Sequence, residues 1–266
     1  MLIDLHNHTC HFSPDAKTTI DDFIKGAVNK GLAVAAITEH YEYKNPDPND
    51  NIQTFDLDLY TKTFKEWKKK CPSSLKLLMG VEFGYQTHTA SDIDEIASTA
   101  PFDIVILSNH LFRGVDVFFS KEVYKLPVKE RHAEYVNKLI EMVEKCDNFD
   151  VLGHFDYINK RNPDLSVNML YDDCPKEFDR FFEALIAKDK ALEINTATPA
   201  RRNSMPDPKI IKRYMKMGGK LITVSSDSHI MENIGALIPE TCEYLKSLGV
   251  KELCYFEGRK VKTFGL

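Results

Sequence analysis

Apolar residues in this chain come in short continuous runs separated by amphipathic or charged stretches. Seven runs read as strands: 2–6 (LIDLH), 33–38 (AVAAIT), 75–83 (LKLLMGVEF), 103–109 (DIVILSN), 150–154 (DVLGH), 191–195 (ALEIN) and 220–226 (KLITVSS). Most are continuous rather than alternating, as expected of parallel strands covered by helices on both faces. The stretches between them carry helical signals. In TIDDFIKGAVNKG, Thr18 or Thr19 can cap the start and Gly31 stops the helix. LYTKTFKEWKKK, KERHAEYVNKLIEMVEK, CPKEFDRFFEALIAK and DPKIIKRYMKMGG follow the same style, with Trp67 on the core side and Lys68–Lys70 on a solvated face. Strand-then-helix units repeated along the chain predict a parallel α/β sheet, either doubly wound and open or closed into a barrel. No Pro/Gly/Ser-rich linker divides the chain.

The histidines favour the barrel. Six of the nine fall at or just past predicted strand ends: His6, His8, His40, His110, His154 and His229. In a barrel, the C-terminal strand ends converge on one mouth. In an open sheet, the edge strands would hold their histidines too far apart for a common site. His6 and His8 are two residues apart, as are His154 and Asp156, and Asp227 and His229; on a strand that spacing puts both side chains on one side. The plain alternative for His6 and His8 is a strand end with no joint role. Glu82 stands alone in an apolar strand, where an unpaired buried carboxylate is costly. A metal ligand explains it better. Imidazoles and carboxylates without thiolates suit zinc, iron or manganese. Six histidines exceed one catalytic site, so two or three divalent ions are expected.

Composition narrows the class. With 266 residues, 43% hydrophobic and 28% charged, the chain has an ordinary globular profile. A formal net charge of -5 argues against bulk nucleic-acid binding. The six cysteines form no C-x-x-C pair, which points to reduced thiols in a cytoplasmic protein. Neither a signal peptide nor a bilayer-spanning apolar run is expected.

The motifs DLHNHT, ITEH, GVEFG, SNHL, GHFD and SSDSH, in that order, resemble the polymerase-and-histidinol-phosphatase (PHP) superfamily from residue 2 to about 235. The sequences FSPDA and EINTAT, the arginines beyond it and the overall length make the chain similar to the stand-alone histidinol-phosphate phosphatases of that superfamily. The resemblance implies one domain over 1–266, a distorted (β/α)7 barrel, and a trinuclear metal site at the strand C-termini. His6, His8, Glu82 and Asp227 would hold the first metal. Glu82 would bridge to a second, also held by His110 and His154. Asp15, His40 and His229 would hold a third, with His11 the other candidate in that loop. A hydroxide between the first two metals would attack phosphorus. Asp227, beside His229, would handle protons. Arg161, Arg201 and Arg202 are the phosphate-binding candidates, and Arg113 a further one. Glu39 is expected behind the ligands, and Glu39 or Asp156 could meet a substrate amine. Cys10 is expected to pack beneath the site, and His88 and His132 are read as structural residues in helices. The implied reaction is hydrolysis of L-histidinol phosphate, a small-molecule partner. Another small phosphate or nucleotide substrate, or a polymerase-associated nuclease or scaffold module, are the alternatives.

Overall fold

The computed structural model describes residues 1–47, 52–197 and 205–266. Seven parallel strands form one sheet in chain order: β1 (Leu2–Asp4), β2 (Leu32–Tyr41), β3 (Lys76–Gly84), β4 (Ile104–Ser108), β7 (Val151–Leu152), β8 (Ala191–Asn195) and β9 (Ile222–Ser225). Its ends are joined by a parallel bridge between Asn7 and Ser228, with His8 N donating to the Ser228 carbonyl at 2.9 Å. The distorted (β/α)7 barrel is therefore the observed fold. Asn7 ties the seam together. Its amide donates to the carbonyls of Asp4 and Ala36 and accepts from the Ser228 hydroxyl at 2.6 Å. The Asp4 carboxylate accepts from Ser226 N and Gly235 N.

Helices α1 (Ile20–Asn29), α2 (Leu57–Lys70), α3 (Ala90–Ile96), α4 (Val128–Lys145), α5 (Pro175–Ala187), α6 (Pro208–Lys216) and α7 (Ile238–Ser247) surround the barrel. Thr19 caps α1 by accepting from Asp22 N at 3.2 Å. Two apolar layers result. A large one lies between strands and helices and includes Trp67. A smaller one fills the barrel itself, with Val34, Ala36, Leu78, Ile104 and Ile106. Phe256 and Cys254 complete that inner layer. They belong to a hairpin, β10 (Glu252–Glu257) and β11 (Lys260–Gly265), which the apolar runs did not predict. A second unpredicted hairpin, β5 (Leu111–Phe112) and β6 (Val115–Asp116), follows β4.

Along β2 and β3 the inward positions change character. Apolar Val34, Ala36 and Leu78 give way to Thr38, His40, Gly80 and Glu82. The bottom of the barrel is thus a core, and the C-terminal end is a polar mouth. Register places His40 directly opposite Glu82. Two expectations fail here. His88 is exposed in a turn before α3 rather than within a helix, because α3 starts only at Ala90. Cys10 is exposed rather than packed beneath the site. Among the described residues, no helix is long and apolar enough to cross a membrane.

Candidate active site

Glu82 is the centre of the mouth and has no exposure to solvent. Its Oε2 lies 3.1 Å from His6 Nε2 and 2.8 Å from His40 Nδ1. Its Oε1 lies 2.9 Å from His154 Nε2 and 3.2 Å from His110 Nε2. Four strand ends therefore deliver imidazoles to one carboxylate. Asp227 faces the same floor, with Oδ1 3.3 Å from His8 Nε2 and 3.8 Å from His6 Nε2. It has φ +50°, a left-handed conformation that few non-glycine residues adopt and that clusters at functional sites. Nearer the surface, Asp15 Oδ2 lies 3.0 Å from His229 Nε2 and 3.6 Å from His40 Nε2. His11 is not part of this group; it is exposed and packs edge-on against Trp67.

These residues fit metal ions. His6 Nε2, His8 Nε2, His40 Nδ1 and Glu82 Oε2 are buried and make no hydrogen bond among the described residues, although they lie within a few ångströms of one another. Buried polar atoms are normally paired. Lone pairs that converge without pairing suit a shared cation. Ligand atoms of His6, His8 and Asp227 come together, as do those of His6, Glu82 and His154, and of His8, His40 and His229. The donor set contains nitrogen and oxygen and no sulfur, which suits zinc, iron or manganese.

Charge follows from the same contacts. Burial pushes the Glu82 carboxyl up, but His6, His110 and His40 outweigh it and hold it well below the carboxylate range. Burial, with His40 and His229 alongside, pushes the His8 imidazole well below its ordinary value. Burial would also lower His6, His40 and His110, yet the facing carboxylates raise all three. Protons on these rings therefore compete with metal.

A second ring of carboxylates lies behind the histidines; Glu39 was expected there, while Glu193 and Glu42 were unrecognised in the sequence. Glu193 Oε1 meets His6 Nδ1 at 2.9 Å, and Glu193 Oε2 accepts from His154 N at 2.7 Å. Glu42 Oε1 meets His110 Nδ1 at 2.7 Å. The signal for Glu193 was the one that singled out Glu82, an acid inside an apolar strand. Glu39 accepts from Thr9 N at 3.0 Å and Ser13 Oγ at 2.6 Å. It is wholly buried behind the ligands, which removes it as a partner for a substrate amine. Asp156 is buried as well. His132 lies in α4, where Asp173 and Asn159 hold it away from the site.

A cleft of about 320 Å³ opens over the cluster. Its inner wall includes Asp15, His110, His154 and Asp227, and its outer wall Phe118, Phe119 and Ile230. Lys160 lines it too, donating to Asp227 Oδ2 at 2.7 Å. Burial works against that ammonium, but Asp227 more than offsets it and raises its pKa. The arginine candidates fare differently. Arg161 lines the cleft with its guanidinium 3.7 Å over the Phe118 ring. Arg113 is not in the cleft; it pairs with Glu134 through two nitrogens on the surface. Arg201 and Arg202 lie outside the described residues.

Comparison with known proteins agrees in extent. A family model of the PHP domain matches residues 4–197. The chain is 30% identical to a probable histidinol-phosphatase of Clostridium acetobutylicum, over 98% of this chain and 99% of that one. It is 28% identical to the histidinol-phosphatase of Lactococcus lactis, over 97% and 96% of the two chains. The crystal structure of the histidinol phosphate phosphatase from that bacterium, complexed with zinc, L-histidinol and phosphate, matches with a TM-score of 0.85 at 26% identity, covering 98% of each chain.

Proposed function

The chain belongs to the PHP domain family, and on that premise we propose that it is a metal-dependent phosphomonoesterase converting L-histidinol phosphate to L-histidinol and phosphate. The observation that carries this is Glu82, whose two oxygens face four histidines from four strands while its Oε2 has no hydrogen-bond donor among the described residues. Full-length likeness to the zinc-, histidinol- and phosphate-bound structure supplies the substrate.

His6, His8, Glu82 and Asp227 would hold one ion. Glu82 with His110 and His154 would hold a second, and Asp15, His40 and His229 a third. Zinc suits all three positions, and manganese or iron would suit the same donors. When bound, such ions supply an acidified water and draw negative charge from the phosphoryl oxygens. The remaining work belongs to the chain. Glu193 and Glu42 fix which ring nitrogen of His6 and His110 points inward. Lys160 has N–H bonds beyond the one given to Asp227, and these take a phosphoryl oxygen in the cleft. Asp227, whose Oδ2 accepts from the cleft-lining Lys160, would accept the proton lost by the attacking water. It would return that proton to the ester oxygen as the P–O bond breaks, giving alcohol and phosphate.

Phosphate release by zinc-reconstituted protein tests this, with L-histidinol phosphate beside adenosine monophosphate and a nitrophenyl phosphate. A kcat/KM for histidinol phosphate higher by about a thousandfold is expected, because a site built for a polar substrate rejects analogues strongly. Equal, slow rates on all three would overturn the substrate.

A further inference from the structure

Two adjacent phenylalanines, Phe118 and Phe119, stand on the outer wall of the cleft with 40% and 46% of their surface exposed. Exposed apolar residues grouped together in a groove, unlike single ones, mark a binding site. They are held in place. Asp116 Oδ1 accepts from Phe118 N at 2.7 Å and from the Tyr157 hydroxyl at 3.1 Å, and the Asp116 carbonyl accepts from Phe119 N at 3.1 Å. Tyr157 in turn packs its ring on His154 at 4.7 Å and His110 at 5.0 Å. Arg161 covers the Phe118 ring, and Phe119 meets Phe118 edge to face at 5.3 Å. A fixed aromatic wall therefore lines the same cleft as Lys160 and the metal-ligand cluster.

We propose that Phe118 and Phe119, backed by Arg161, form the specificity wall that receives a flat ring on the leaving group. The inference rests on the phosphatase reading of the same cleft. A phosphoryl group at Lys160 leaves the alcohol part of an ester directed outward, and a planar heterocycle can stack or meet these rings edge-on. A ringless alcohol leaves them uncovered. The wall adds binding to the ring and none to the phosphoryl group, so it acts on discrimination between esters.

The test compares wild type with the double variant Phe118→Ala/Phe119→Ala and the double leucine variant, all loaded with zinc. Three esters are used: L-histidinol phosphate, benzyl phosphate, which has a ring but no imidazole, and phosphoethanolamine, which has an amine but no ring. The ratio of kcat/KM for ring-bearing over ringless ester should fall about 10- to 100-fold in the alanine variant, mainly through KM. The leucine variant, which restores apolar area without a π face, should recover part of it. Equal losses on all esters, or an unchanged ratio, would overturn the wall. If wild type ignores histidinol phosphate while the benzyl-to-ethanolamine ratio still collapses in the variant, the substrate assignment fails and the wall stands.

Discussion

Lys160 Nζ lies 2.7 Å from Asp227 Oδ2, which places a largely buried cation against the carboxylate that faces both the histidine floor and the cleft. On the proposed reading, this pair would connect the metal-ligand cluster to the phosphoryl group of the substrate. Replacing Lys160 by Met keeps the stem and removes the charge. Losing one preorganised donor to a transferring phosphoryl group is expected to lower kcat/KM by about 100-fold. Inorganic phosphate should also inhibit less well. Lys160→Arg should restore part of both effects, since it returns a donor with a different shape. Steady-state kinetics with phosphate as inhibitor checks this. An unchanged phosphate inhibition constant in Lys160→Met would show that the ammonium serves Asp227 alone.

Glu42 is expected to act through His110. Its carboxylate meets His110 Nδ1 at 2.7 Å and crowds Gly84, where an added Cβ would lie 1.8 Å from Glu42 Oε2. Glu42→Gln keeps the shape but can present the wrong group to the ring. Removing such support typically lowers metal affinity about 10- to 100-fold. Zinc titration against a chelating dye measures it. The same loss is predicted for Gly84→Ala, where the methyl group displaces Glu42.

Away from the mouth, Glu141 on α4 accepts from Tyr85 at 2.8 Å, from Thr87 at 2.5 Å and from Lys138 at 2.8 Å. Burial alone would raise its carboxyl, but those donors outweigh burial and hold it at about 2, against an ordinary 4.5. A depressed folded value means that the contribution is complete above the unfolded value and is lost as pH falls through the folded one. Glu141→Gln should therefore be less stable than wild type at neutral pH by about 1 kcal/mol, given the partial exposure of the group. The gap should narrow as pH drops from about 4.5 toward 2. Urea unfolding at several pH values tests the sign.

The legible part of the fold was the part buried on both faces. Continuous apolar runs marked all seven barrel strands, and histidines at five strand ends marked the mouth. Charges that complete the site were harder to read. Glu193 and Glu82 occupy the same kind of position, an acid in an apolar strand, but EINTAT, which begins at Glu193, carried the family resemblance without giving that glutamate a role. Lys160 sits in YINKRNPD, which reads as ordinary polar loop until the barrel brings it to Asp227. The hairpin β10–β11 escaped because β11 is largely exposed and so lacks a buried apolar run. Its turn, Gly258–Arg259, has φ +55° and +62°, and arginine is not a residue that signals a turn with two positive φ values. Yet this hairpin carries Phe256 into the barrel and closes its lower end.

The most direct measurement takes metal content and turnover from the same sample, wild type beside Glu82→Gln. Glu82 faces His6, His40, His110 and His154 at once, so neutralising it should disturb every ion that shares those rings. Wild type is predicted to carry two or three zinc ions per chain and to release phosphate from L-histidinol phosphate. Glu82→Gln is predicted to lose at least one ion and about a thousandfold in kcat, while remaining folded by circular dichroism. A Glu82→Gln protein that kept both its metal content and its rate would contradict a phosphatase site built around this carboxylate.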